Sequence, residues 1–250
     1  MIYVNGCSYT FGIGCAPHGD EPAACKRNSW PTKLSNLTGT QVLNEALPGS
    51  SNARIFRDTI DYLSDNNPDL VIIMWSDPGR IEGFMPKESD WFAEIFDLHQ
   101  ITPQAVQNID SYFHREALES YYSFLHTDTK ACLDTLSYMN AIQQICKAKN
   151  IPYISHCYKS NIERQTRHTL SILKDKEEPN IVKTRLKIER LKASLDDFNF
   201  GVNNVISFNS LVVENYLPFS EWSLGHPGIE AHEFMAQWFK DFMDKHEITG

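Results

Sequence analysis

Two residues far apart in the chain have the chemistry of a nucleophile and its base. Ser8 follows Ile2-Tyr3-Val4-Asn5-Gly6-Cys7, a short β-branched and aromatic run that stops at a glycine. A buried strand that ends so abruptly delivers a serine hydroxyl to the rim of a sheet. His226 lies in Gly225-His226-Pro227-Gly228, just ahead of a final amphipathic pattern. An imidazole is the side chain that most often takes a proton from such a hydroxyl. Between the two stand Ala46-Leu47-Pro48-Gly49-Ser50-Ser51-Asn52, a turn rich in small residues, and Trp75-Ser76-Asp77-Pro78-Gly79-Arg80.

For these residues to act together, the intervening elements must bring them to one edge. Strands are expected at Ile2–Asn5, Gln41–Asn44, Leu70–Met74, Ile151–Ile154 and Val205–Phe208. The Leu70–Met74 run is apolar on both faces, as a central parallel strand covered by helices must be. Residues 15–30 read as a polar loop, and Ser29-Trp30-Pro31 opens a short helix that Gly39 stops. A helix with Ile55, Ile60 and Leu63 ends at Asn66-Asn67-Pro68. A long helical region runs from about Glu116 to Lys149, with a break near Thr127-Asp128. Ile188, Leu191 and Leu195 mark a further helix, and Met235, Trp238, Phe239, Phe242 and Met243 mark the last. Residues 81–114 are rich in aromatics and acids and read as an insertion over the sheet edge, a lid or a contact in a homo-oligomer. Residues 160–197 form a second, charged insertion in an otherwise single domain spanning 1–250.

Strands that alternate with helices build a parallel sheet with helices on both faces. Right-handed crossovers point every strand the same way, and ligands bind at the strands' carboxyl ends. Ser8, Gly49, Ser76 with Asp77, His156, and His226 each follow a strand, so all fall on that rim.

Composition narrows the partners. A net charge of −9 argues against bulk nucleic-acid binding, which rests on lysine and arginine neutralising phosphates. No apolar run approaches the ~18 residues that span a membrane. The chain enters its first strand at Ile2 without a basic leader, so a cytoplasmic protein is expected. The six cysteines form no CxxC pair and read as free thiols, with Cys7 turned into the core. No metal-ligand spacing, dinucleotide fingerprint or phosphate-loop lysine appears, so neither metal nor cofactor is expected.

Four blocks, in order, resemble those of the SGNH/GDSL-type serine hydrolases: Gly6-Cys7-Ser8-Tyr9-Thr10, Asn44 through Asn52, Val71 through Asp77, and Gly225-His226-Pro227. The resemblance implies a three-layer α/β/α sandwich with a five-stranded parallel sheet, flavodoxin-like. It implies an esterase acting on an acyl or acetyl ester of a small molecule or glycan. Ser8 would be the nucleophile and His226 the base. The backbone N–H groups of Ser8 and Gly49 would hold the oxyanion. Two positions depart from the family pattern. The family asparagine falls on Ser76, whose hydroxyl is a shorter donor, with Asn52 as a substitute. The family aspartate, three residues before the histidine, falls on Ser223, which carries no charge. Glu221 is the acid close by, and a backbone carbonyl is the alternative. These departures motivate a second reading, an inactive fold of this type that serves as a binding or assembly module.

The remaining polar residues are assigned simpler roles. Arg80 either binds an anionic group of the substrate or pairs with Glu82 or Asp77 on the surface. Asp77 reads as a loop acceptor and His156 as a strand-end histidine rather than a base. Glu230 and His232 read as surface residues of the last helix.

Overall fold

The computed structural model describes residues 1–16, 22–86, 96–101, 116, 119–157, 161–195 and 226–248. Its centre is a parallel sheet. β1 (Ile2–Asn5) pairs on one side with β2 (Val42–Asn44) and on the other with β3 (Leu70–Trp75). β3 in turn pairs with β6 (Tyr153–Cys157). The order β2-β1-β3-β6 holds four strands among the described residues, one fewer than expected. The expected fifth, Val205–Phe208, lies outside them. Every residue of β1, β3 and β6 is buried, which explains the unbroken apolar character of β3.

The chain reverses direction across this sheet. It passes from β1 outward to β2 through α1 (Ser8–Phe11), α2 (Pro22–Asn28) and α3 (Trp30–Thr38). It then returns over β1 to β3 through α4 (Asn52–Asp65). With right-handed crossovers, this reversal sends α3 and α4 to opposite faces and opens a crevice beyond the carboxyl ends of β1 and β3. Ser8 stands at that crevice. α3 packs with α8 (Ile229–Lys245), while α4 packs on α5 (Asp128–Ala148). α6 (Asn161–Leu173) and α7 (Pro179–Ser194) pack on α5 in turn.

Local chemistry explains the boundaries. Gly39 ends α3 at φ +70°, where its N–H reaches the Ser35 carbonyl. The Ser51 hydroxyl accepts from the Arg54 N–H and caps α4. The Thr127 hydroxyl does the same for α5 through the Lys130 N–H, at the expected break. A single π-helical turn, Tyr121–Leu125, precedes it.

One segment differs from expectation, and a second takes a form that the sequence left open. Residues 22–28, placed in a polar loop, form α2, which opens on Pro22 and continues Ala-Ala-Cys-Lys-Arg. Proline at a first helical position needs no N–H partner, and helix formers follow it. The start of the 81–114 region is an antiparallel hairpin, β4 (Ile81–Pro86) with β5 (Phe96–Ile101). Arg57 of α4 binds both carboxylate oxygens of Glu82, at 2.7 and 3.1 Å, and so ties the hairpin to the body.

The core runs continuously from β1 and β3 to Trp30, Leu34, Ile55, Leu136, Met139, Met235 and Phe239. All six cysteines are buried thiols outside any disulfide, Cys7 among them. No described helix is long and apolar enough to cross a membrane.

Candidate active site

The site is built on the end of β1. Asn5 fixes that end, and its role was not visible in sequence. Its Oδ1 accepts from the Gly6 N–H at 2.7 Å. Its Nδ2 donates to the Tyr3 hydroxyl, the Thr59 hydroxyl and the Ile55 carbonyl. The last strand residue is thereby bonded to the middle of α4. An asparagine inside an otherwise apolar strand is the only signal, since a buried amide must find partners. Gly6 then lets the chain turn tightly: a Cβ there would stand 3.0 Å from the Met74 carbonyl oxygen of the neighbouring strand. The N–H groups of Thr10 and Phe11 both donate to the Cys7 carbonyl, closing the turn that holds Ser8. Ser8 is 4% exposed, at the mouth rather than on the surface.

His226 meets Ser8 there. Its Nε2 lies 2.8 Å from the Ser8 Oγ, a hydrogen-bond distance. The imidazole also lies against the Tyr9 ring, with centroids 5.1 Å apart. Behind it, α8 is attached to α3 at three points. The Trp30 N–H donates to His232 Nδ1 at 3.0 Å, Lys33 pairs with Glu233, and Trp30 stacks on Phe239. His232 is therefore no surface residue: it is fully buried, and burial pushes its pKa down to about 3. The 3.6-residue period of α8 puts it on the same inward side as Met235, Ala236 and Phe239.

The turn after β2 runs beside the turn after β1. The Glu45 N–H donates to the Val4 carbonyl and the Leu47 N–H to the Gly6 carbonyl. Gly49 occupies that turn at φ +78°, a conformation that favours glycine. After β3, Ser76 is held by Asn52. Asn52 Oδ1 accepts from the Ser76 N–H at 2.7 Å, and Nδ2 donates to the Ser76 carbonyl and to Thr135 Oγ1, each at 3.1 Å. Both protons of the Asn52 amide are thus engaged. The Ser76 Oγ is buried and has no hydrogen-bond partner among the described residues. Asp77 accepts from the Gly79 N–H at 2.7 Å, the loop role expected of it.

Arg80 lines a cavity of about 240 Å³ that reaches Asn52, Thr135, His126 and Lys130. The carboxylate of Glu82, a partner considered for Arg80, is bound by Arg57. Arg80 Nη1 reaches toward the Ser50 carbonyl at 3.5 Å.

His156 is away from this rim. β6 extends to Cys157, so His156 is inside the strand and opposite Met74. It is fully buried against the rings of Trp238 and Phe239, and burial pushes its pKa down to about 3. Glu221 and Ser223 lie outside the described residues. No group of three metal-ligating side chains occurs among the described residues.

No family model matches the chain, and no curated protein does. Solved structures do resemble it. One is a protein of the G-D-S-L family from Desulfitobacterium hafniense DCB-2, at 14% identity over 96% of this chain and 98% of that one, with a TM-score of 0.49. Another is the psychrotrophic esterase EstA from Pseudoalteromonas sp., at 10% identity over 99% and 98%, with a TM-score of 0.48. A third is the acetyl xylan esterase AlAXEase, at 11% identity over 96% and 98%, with a TM-score of 0.43.

Proposed function

We propose that the protein is a divergent SGNH-type serine hydrolase that cleaves an acyl or acetyl ester of a small molecule or glycan in the cytoplasm. The observation that carries this reading is the 2.8 Å contact between Ser8 Oγ and His226 Nε2. It joins a nucleophile to a base across the crevice where such sheets bind ligands.

In this reading His226 takes the Ser8 proton as the Ser8 oxygen attacks the ester carbonyl carbon. The resulting oxyanion is held by the backbone N–H groups of Ser8 and Gly49 and by the Ser76 hydroxyl. Collapse expels the alcohol, which takes its proton from His226 and leaves an acyl group on Ser8. Water, deprotonated by His226, then releases the acid. Glu221 is assigned to orient the His226 ring. Two features support Ser76 as a donor. Its hydroxyl is buried and unengaged among the described residues, and its peptide is gripped by Asn52. Asn52 then contributes by holding Ser76 rather than by donating to the oxyanion itself. Arg80 is assigned to a polar or anionic group of the substrate, beside the cavity that it lines.

Labelling with a fluorophosphonate, read by intact mass and peptide mapping, tests the reading. An adduct on Ser8 that requires His226 is expected, followed by turnover of acetyl or longer esters. A folded protein that takes no label would sink the hydrolase reading and favour a binding or assembly module.

A further inference from the structure

The loop that leaves the nucleophile turn comes back onto the histidine. The N–H groups of Gly12 and Ile13 both donate to the Ser8 carbonyl, at 3.0 and 3.1 Å, and the Cys15 N–H donates to the Gly12 carbonyl. These bonds hold residues 12–15 in a fixed relation to Ser8. Gly14 sits in this coil at φ +92°. A Cβ on Gly14 would stand 3.1 Å from His226 Cβ, 3.2 Å from the His226 carbonyl oxygen and 3.0 Å from the Pro227 carbonyl oxygen. The buried thiol of Cys15 reaches the same Pro227 carbonyl at 3.9 Å. The segment that carries the imidazole therefore rests on the bare backbone of the nucleophile's own loop.

We propose that Gly14 is a positioning residue for His226: its missing side chain is the space that lets the imidazole reach the Ser8 hydroxyl. The effect on rate rests on the hydrolase reading; the effect on the ring's position does not. Two further contacts limit how far the segment can yield. The imidazole meets the Tyr9 ring, and α8 is bonded to α3 through His232 and Trp30. A methyl at 14 must then move the His226 backbone by a few tenths of an ångström. Small misplacements of reacting groups are costly, with ~10²-fold lost for about 1 Å. The shift expected here corresponds to roughly ten-fold.

Strain and displacement can be separated within this chain. Gly39 also has a positive φ, +70°, but a Cβ there meets nothing within 4 Å. Gly39→Ala carries the backbone penalty alone, while Gly14→Ala carries the penalty and the contact. Gly14→Asn serves as a second probe, because asparagine tolerates left-handed backbone but still brings a Cβ. Two readouts are made on the full chain: the His226 ring resonance and its titration by NMR, assigned by its loss in His226→Ala, and the rate of Ser8 labelling by a fluorophosphonate.

Gly14→Ala and Gly14→Asn are expected to move the His226 resonance and slow labelling about ten-fold. Gly39→Ala is expected to do neither. Adding Gly14→Asn to His226→Ala is expected to slow the residual labelling no further, since Gly14 acts through the histidine. A folded Gly14→Asn protein with an unchanged His226 resonance would overturn the proposal, whatever the activity. An equal loss of labelling with and without His226 would overturn it as well. If His226→Ala alone labels as fast as the native protein, the hydrolase reading fails and the NMR shift still decides the role of Gly14.

Discussion

Asn52 grips the Ser76 peptide from both sides. Its Oδ1 accepts from the Ser76 N–H at 2.7 Å, and its Nδ2 donates to the Ser76 carbonyl at 3.1 Å. The first turn of α4 is thereby locked to the end of β3, and the remaining Nδ2 proton goes to Thr135 on α5. Three elements meet on one amide, with the Ser76 hydroxyl at their junction.

Ser76→Ala separates catalysis from stability. The hydroxyl has no partner among the described residues, so its loss should change the urea midpoint by less than ~0.5 kcal/mol equivalent. Under the hydrolase reading, loss of this oxyanion donor should lower kcat by about 10²-fold. A variant with native kcat on the best ester found would remove Ser76 from the oxyanion site.

Asn52→Leu should behave in the opposite proportion. It leaves a buried N–H and a buried C=O of Ser76 without their amide partner, at ~1–3 kcal/mol for each orphaned group. Thr135→Val removes one acceptor from the same amide and should cost only about 1 kcal/mol. Chemical denaturation of the two variants tests this ranking, and equal losses would contradict it.

His156 and His232 make stability depend on pH in a defined window. Each is buried, and each has a folded-state pKa of about 3 against an ordinary value of 6.5. Between those values the unfolded chain takes up protons that the folded chain does not. Stability is therefore full above about 6.5 and falls as pH drops toward 3. Each histidine adds a slope of up to ~1.4 kcal/mol per pH unit. His156→Phe keeps an aromatic ring against Trp238 and Phe239 and should remove that share of the slope. Urea unfolding at pH 7, 6 and 5 measures it; equal slopes would mean that His156 does not stay neutral in the folded protein.

Arg57→Ala should release the β4–β5 hairpin rather than unfold the protein. The arginine is half exposed, so its ion pair with Glu82 should stabilise by less than ~1 kcal/mol. Limited proteolysis within 81–101 should accelerate while the main unfolding midpoint barely moves. Native cleavage rates would show that the hairpin is held by other contacts.

The parts of the fold legible in sequence were those set by local chemistry. Leu70–Met74 could only be a covered strand, Gly39 could only stop a helix, and Thr127-Asp128 marked a break. The Ser8–His226 pairing was legible because strand order and direction fix which loops share an edge. What escaped were features decided by distant packing. His156 was read as a rim residue because the apolar run stops at Ile154, yet pairing to β3 carries the strand on to Cys157. His232 was read as exposed because histidine is polar, yet its acceptor nitrogen serves the start of α3, about 200 residues earlier. Asn5 and Asn52 make their long-range contacts across 24 to 83 residues, and no local pattern announces such partners of an amide.

The hydrogen bond between Ser8 and His226 spans 218 residues of chain. A ribosome releases the serine long before the histidine exists. Until then Ser8 is an ordinary alcohol, even when β1 and β3 have already paired. If Ser8 is a nucleophile, its reactivity waits until α8 has docked on α3 and carried the imidazole in. Under the hydrolase reading, no nascent chain can attack the esters around it, and a protease that clips the α8 segment silences the molecule. Labelling of Ser8 would then count molecules in which α8 has docked rather than molecules begun.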